Sequence, residues 1–61
     1  MGEFEIRILD KTGATKLVRE EFHLSADAAI RSARKEANGM PFEVWSGIIR
    51  IYPAEQPPPA R

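Results

Sequence analysis

The sequence predicts an α+β fold, in which a four-stranded antiparallel sheet carries one helix on one face. Three observations lead to this prediction. Residues 4–9 alternate apolar and polar side chains, as a half-buried strand does, and residues 25–39 repeat apolar side chains at helical spacing between two cap signals. Residues 42–52 sort into one apolar and one mixed face when they are folded as a hairpin. With one more strand before the helix, the order is ββαββ.

Length and composition limit what this fold can do. A chain of 61 residues forms one domain and buries only about 60% of its unfolded surface. Nine basic side chains balance nine acidic ones, so no overall field attracts nucleic acid or an anionic membrane. The chain has no cysteine and no long apolar run, so we expect a cytoplasmic protein without a membrane span, a disulfide or a cysteine metal site. We assign residues 1–53 to a single domain and residues 54–61, AEQPPPAR, to a disordered proline-rich tail.

The first strand places Phe4, Ile6 and Ile8 on one side. Residues 10–14, DKTGA, follow as a hairpin loop, because Asp10 can bond the backbone ahead of it and Gly13 can adopt a positive φ.

The second strand covers residues 15–24 and has one irregular position. Val18, Phe22 and Leu24 fall on one apolar side, and Val18 and Phe22 are expected to face the core, but Glu20 falls on that side too. Two explanations stay open: a β-bulge near residues 19–21 shifts the alternation, or the strand lies at the edge of the sheet, where Glu20 reaches water.

Residues 25–39 carry a complete set of helix signals. Ser25 is the predicted N-cap, Asp27 lies in the first turn, and Asn38 with Gly39 ends the helix. The apolar stripe is mostly alanine, so Ile30 is expected to be its main contact with the core, and a large side chain at Ala33 should overpack the interface.

Residues 42–52 are predicted to form two strands joined by a two-residue Ser46-Gly47 turn. This hairpin pairs Trp45 with Ile48 and places a glutamate opposite an arginine on the same face. The other face is then wholly apolar, and its members are Phe42, Val44, Ile49 and Ile51.

A right-handed crossover through the helix gives the sheet order 2-1-3-4, with the first strand central and the second at an edge. The predicted core consists of Phe4, Ile6, Ile8, Val18, Phe22, Ile30, Ala33, Ala37, Phe42, Val44, Ile49 and Ile51. The uncovered face carries a surplus of apolar side chains, which small domains often hide in a dimer. We therefore predict an interaction surface on that face, formed by a homodimer or a protein partner. Its candidate residues are Trp45, Ile48, Tyr52, Leu9, Leu17, Arg7, Arg19 and Arg50.

Other functions have less support in the sequence. Aromatic side chains interleaved with arginines can bind single-stranded nucleic acid, and Trp45, Tyr52, Arg7, Arg19 and Arg50 form this alternative site. Glutamates interleave the same arginines, which favours a self-neutralised surface and makes nucleic acid the weaker hypothesis. His23 has no aspartate or second histidine at a spacing that would orient it for catalysis, and no phosphate loop or metal-ligand cluster is present, so we expect neither an enzyme nor a cofactor.

The strands, helix and tryptophan hairpin together resemble a group of short bacterial proteins, typical of alphaproteobacteria, to which no activity is assigned. The similarity spans residues 4–52 and rests on FEIRILDKTG, on the alanine-rich helix with its Ala33-Arg34 pair, and on FEVWSG at the start of the last hairpin. The resemblance implies the ββαββ fold and carries no catalytic residue over.

Residues 25–37, SADAAIRSARKEA, are also similar to the helix of small antitoxin domains with a partial double-stranded-RNA-binding fold. This chain lacks the third strand that those domains have before the helix and any appended DNA-binding segment. The resemblance implies a toxin-like protein partner by analogy only.

Overall fold

A computed structural model describes residues 2–53 and shows the predicted ββαββ architecture. Strands β1 (Gly2–Leu9) and β2 (Thr15–His23) form the first hairpin, and helix α1 (Ala26–Ala37) leads to the second hairpin, formed by β3 (Phe42–Ser46) and β4 (Ile49–Tyr52). The four strands are antiparallel and lie in the order β2-β1-β3-β4. The predicted fold class and strand order are therefore confirmed. The predicted tail, residues 54–61, lies outside the described residues.

Local signals explain the turns and the helix ends. The Asp10 carboxylate accepts hydrogen bonds from the Thr12 and Ala14 backbone N–H groups, at 2.9 and 3.0 Å, and from the Thr12 hydroxyl. These bonds close the first hairpin as predicted. At the start of α1 the Ser25 side chain accepts a hydrogen bond from the Ala28 N–H, and Asn38 ends the helix in the left-handed conformation.

The core forms between α1 and the central part of the sheet. The helix faces the sheet with Ala29, Ala33 and Ala37, which are all buried, and Ile30 is only half-buried. The prediction that Ile30 is the main contact is wrong, because three alanines bring the helix so close to the sheet that a longer side chain stays at its margin. From the sheet the buried residues are Ile6, Ile8 and Val44.

Strand β2 presents the opposite faces from those predicted. Ile6 pairs with Arg19 and Arg7 pairs with Val18, so odd-numbered residues of β2 face the helix. The cause is a shift of register beside Leu9, where the β2 partner changes from Thr15 to Leu17. This bulge at the start of β2 inserts one residue and reverses the alternation for the rest of the strand.

Two core predictions therefore fail on β2. Val18 is 52% exposed and Phe22 is 66% exposed, and both lie on the open face, the face of the sheet that α1 does not cover. Glu20 is exposed between them. The bulge near residues 19–21 is not found, and the second explanation, an edge strand whose Glu20 reaches water, agrees with the structure.

The second hairpin turns one residue later than predicted. Its turn residues are Gly47 and Ile48, with φ = 63° at Gly47, which fits the two-residue turn that needs glycine at its first central position. Trp45 consequently pairs with Arg50, and Ser46 pairs with Ile49. Ile49 lies near the end of the sheet and is 63% exposed, so its predicted place in the core is wrong.

A second irregularity shifts the register between Val44 and Trp45. Ile51 is left without a cross-strand partner but still packs against the core, and Tyr52 is turned to the helix side. None of the helical residues in the described range 2–53 forms a segment long and apolar enough to cross a membrane.

Candidate functional site

The predicted tryptophan lies on the open face within a compact group of charged side chains, which we call the Trp45 cluster: Glu5, Arg7, Glu43, Trp45 and Arg50. Strand pairing brings these residues together, because Trp45 lies opposite Glu5 on β1 and opposite Arg50 on β4. The Arg7 guanidinium lies 4.6 Å from the centroid of the Trp45 ring, and the indole N–H donates a 3.0 Å hydrogen bond to Glu43.

Charge is balanced within the Trp45 cluster. Arg7 is hydrogen-bonded to Glu5, and the Arg50 guanidinium lies 3.7 Å from the Glu43 carboxylate. Each arginine thus has a carboxylate partner, and the four charged side chains keep only 21–35% of their surface in water. The cluster is a half-buried, neutral platform, which suits contact with a mixed protein surface better than attraction of a polyanion.

The largest exposed apolar side chains of the open face lie beside this platform, on the edge of the sheet. Val18, Glu20 and Phe22 point to the open face from β2, opposite Arg7, Glu5 and Glu3 of β1 respectively. We call these three residues the edge strip. No other strand of the described chain pairs with the outer side of β2, so the edge strip borders a free strand edge.

The structure separates the predicted interface residues. Trp45, Arg7 and Arg50 are brought together on the open face, and Leu9 lies on that face by alternation along β1. Ile48 is 94% exposed in the hairpin turn, so it does not pair with Trp45 as predicted.

The other predicted interface residues lie on the helix side of the sheet, which corrects their assignment to the uncovered face. Leu17 and Arg19 pair with the buried residues Ile8 and Ile6 and share their side of the sheet, because of the bulge that reverses β2. Tyr52 stacks on Phe42 at 4.7 Å between ring centroids, and its hydroxyl lies 3.4 Å from the Arg34 guanidinium of α1.

A second polar group, the glutamate cluster, lies between β2 and α1 and consists of Arg19, Glu21, His23, Ser32 and Glu36. The Arg19 guanidinium lies 3.6 Å from Glu36 and 3.9 Å from Glu21. His23 Nε2 is 2.7 Å from Glu21, and the Ser32 hydroxyl donates a longer bond to the same carboxylate. Arg19 thus forms ion pairs with both Glu21 and Glu36, whose carboxyl groups lie side by side.

This arrangement separates the pKa values of the two glutamates. When Glu36 is protonated, it donates a hydrogen bond to Glu21, and this bond raises the pKa of Glu36. Burial and the negative charge of Glu21 raise the pKa of Glu36 further. The same hydrogen bond lowers the pKa of Glu21, with further lowering from His23 and Arg19 against an opposing effect of burial. Glu36 Oε1 is shielded from solvent without a hydrogen-bond partner, which costs less for a neutral acid than for a carboxylate.

The glutamate cluster has the residue types of a hydrolytic triad but in a different arrangement. In a triad, histidine lies between the serine and the acid, because it must take the proton from the hydroxyl. Here Glu21 lies between Ser32 and His23 and accepts from the hydroxyl, so the histidine does not contact the serine. Within residues 2–53, no group of three or more histidine, cysteine or acidic side chains is arranged to hold a metal ion.

Sequence reasoning missed two features that matter for the site. The Glu21–His23 contact could have been found from its spacing, because residues two apart on a strand share a face. The exposure of Val18 and Phe22 could not, because their pattern is that of a buried face and only the bulge beside Leu9 reverses it.

The fold and the surface define a small, helix-covered antiparallel domain with the charge-balanced Trp45 cluster on its open face and a free edge strand. Comparisons of the chain with models of protein families, with characterised proteins and with solved structures give no significant match.

Proposed function

We propose that this chain is a small, non-enzymatic protein-interaction domain that acts by self-association through its open face, with the edge strip as the main contact. The observation that carries the proposal is the exposure of Val18 and Phe22 on an edge strand of nine residues whose outer side is free within the described chain. A long edge strand with exposed apolar side chains is a site where another chain can add. The proposal includes a cytoplasmic location, which the lack of cysteine favours.

The proposed contact surface is centred on β2, whereas the sequence predicted one centred on Trp45. Trp45 is covered by Arg7 and bonded to Glu43, so it serves as a firm part of the platform, and the larger apolar exposure lies two strands away on β2. Complete burial of a phenylalanine side chain contributes about 1.5–3 kcal/mol of favourable free energy. In a twofold dimer the same side chain of both copies lies in the interface, so this contribution is made by two residues. Phe22 is therefore the residue from which self-association gains most.

The geometry supports a non-enzymatic role as well. In the glutamate cluster His23 does not contact Ser32, and the groove between Met40, Phe42 and Tyr52 is lined by apolar and aromatic side chains. Single-stranded nucleic acid is the weaker hypothesis, because Arg19 and Tyr52 lie on the helix side and Arg7 is already paired with Glu5.

Sedimentation equilibrium tests the proposal. Over roughly 10 μM to 1 mM, a range suited to small interfaces, the wild-type chain should shift from monomer to dimer, and the Val18→Ser/Phe22→Ser variant should stay monomeric. Ile48→Ser is the matched control, because Ile48 is the most exposed large apolar side chain but lies outside the edge strip. It should dimerise like the wild type.

Salt provides the second arm of this test. An apolar contact should respond little to ionic strength, whereas binding of a single-stranded oligonucleotide should weaken steeply. A wild-type chain that stays monomeric throughout the concentration range would contradict self-association. Salt-sensitive binding of the oligonucleotide that is lost in Arg7→Gln and retained in the double serine variant would favour the nucleic-acid hypothesis instead.

A further inference from the structure

The outer edge of β2 has a sequence that is nearly symmetric about Glu20. Arg19 and Glu21 flank it with opposite charges on the helix side, and Val18 and Phe22 flank it two residues away on the open face. In an antiparallel pair of identical strands related by a twofold axis, each residue faces the one at the same distance on the other side of the axis. The edge is therefore complementary to itself when the axis passes through Glu20.

We propose that two copies of this chain associate by antiparallel pairing of β2 with β2, about a twofold axis at Glu20. On the open face, Val18 of each copy then lies opposite Phe22 of the other. On the helix side, Arg19 of each copy lies opposite Glu21 of the other, which is a favourable pair of opposite charges. The two sheets become continuous, and both helices cover the same side.

Other registers match less well. An axis at Arg19 sets two guanidinium groups against each other and puts Val18 opposite Glu20, whereas an axis at Glu21 opposes two carboxylates and puts Glu20 opposite Phe22. An axis at Val18 competes more closely than these two, because it pairs Glu20 with Lys16. It leaves Phe22 opposite Ala14, which precedes the first residue of β2, so the most exposed apolar side chain of the strand stays uncovered.

The axis at Glu20 has one cost, which also provides a test. The two copies of Glu20 lie directly opposite each other, and like charges in that position weaken strand pairing. Glu20→Thr removes the repulsion and should tighten the dimer roughly 2- to 5-fold. With the axis at Val18 the same substitution would remove the contact with Lys16 and weaken the dimer, so the two registers predict opposite signs.

A disulfide can report the register directly, because the chain contains no cysteine of its own. Residues opposite each other across an antiparallel pair have Cα atoms about 4.5–5.5 Å apart, within the range that a disulfide spans. Under mild oxidation, Glu20→Cys should form a covalent dimer rapidly. Val18→Cys should crosslink more slowly, because its copies lie roughly 13 Å apart at about 3.3 Å per residue.

Lys16→Cys is the matched control for random collision, since it lies on the same strand, is exposed, and has copies about 26 Å apart in this register. Trp45 gives an independent readout. It lies two strands from the junction, so its emission should not change as the dimer forms, whereas a dimer stacked face to face over the Trp45 cluster would shift it.

This inference rests on the proposed function, and the two can fail separately. A wild-type chain that never dimerises overturns both. A wild-type dimer in which E20C crosslinks no faster than K16C, or in which V18C crosslinks faster than E20C, overturns only the Glu20 register. A weaker dimer for Glu20→Thr, or a shift of Trp45 emission on dimerisation, has the same consequence. Fast E20C crosslinking with a tighter Glu20→Thr dimer supports the register.

Discussion

β3 and β2 flank the same central strand, and each carries one valine opposite a residue of β1. Val44 of β3 pairs with Ile6 and is completely buried, whereas Val18 of β2 pairs with Arg7 and is 52% exposed. The buried alanines of α1 pack with Ile6 and Val44, so apolar burial holds β3 in place. β2 has no buried residue and is held by its ladder to β1 and by polar contacts with α1.

The difference indicates that some strands of the sheet supply the stability of the fold, whereas another is free to contact a partner. Burial supplies most of the favourable free energy of folding, so the stability of this domain comes chiefly from β1, β3 and α1. A strand that is not needed for the core can present apolar side chains to a partner without loss of the fold. β2 meets that condition, and β3 does not.

The largest expected effect comes from the same substitution in the two strands. Val44→Ala should lower the free energy of unfolding by about 2–3 kcal/mol, because it removes two buried methyl groups and leaves a cavity. Val18→Ala should change it by less than about 0.5 kcal/mol. Urea unfolding at low protein concentration, where dimer formation adds little, measures both values. Equal losses would show that β2 contributes to the core as much as β3 does.

A smaller effect is expected on the open face, where β1 and β3 share the Trp45 cluster. Arg7→Ala removes the guanidinium that lies over the indole ring. The free energy of unfolding should fall by about 0.5–1 kcal/mol. The substitution should also shift the Trp45 emission to longer wavelength and increase its quenching by acrylamide.

Arg19→Ala is the matched control for this change, because Arg19 lies on the other side of the sheet and belongs to β2. Its effect on Trp45 emission should be negligible. Unchanged emission in Arg7→Ala would mean that Glu43 and the backbone, and not Arg7, shield the ring.

The strands held by burial were predicted well from the sequence, and the strand held at the edge was not. In β1 the buried positions follow the period of the pattern, because burial of one face selects them. No residue type in the sequence of β2 marks the bulge beside Leu9. The alternation along the strand is compatible with either face pointing to the core. The prediction therefore placed Val18 and Phe22 in the core.

The position of the second turn was within reach of sequence reasoning. A turn with glycine at its first central position starts at Gly47, whereas the predicted Ser46-Gly47 turn places the glycine second. The one-residue difference explains why Trp45 meets Arg50 and why Ile48 projects into solvent. The Trp45 cluster was accordingly predicted in part, with the right strands and the wrong partner for the tryptophan.

The smallest expected effect concerns the polar contact that ties β2 to α1. Because the folded-state pKa of Glu36 is raised, its proton stabilises the fold at low pH, and that contribution is lost as the pH rises through the raised pKa. The pKa of Glu21 is lowered, so its contribution is present at neutral pH and is lost as the pH falls through the folded-state value.

Glu36→Gln provides a permanent amide donor to Glu21 and should stabilise the domain by roughly 0.5 kcal/mol near pH 7, but not near pH 4, where the wild-type side chain already carries the proton. Glu21→Gln is the matched contrast: it removes the negative charge that Arg19 and His23 contact, and should destabilise the domain near pH 7. Thermal unfolding of the three proteins at both pH values measures the difference. If Glu36→Gln is destabilising near pH 7, the ion pair of Glu36 with Arg19 contributes more to the contact between β2 and α1 than the hydrogen bond of Glu36 to Glu21 does.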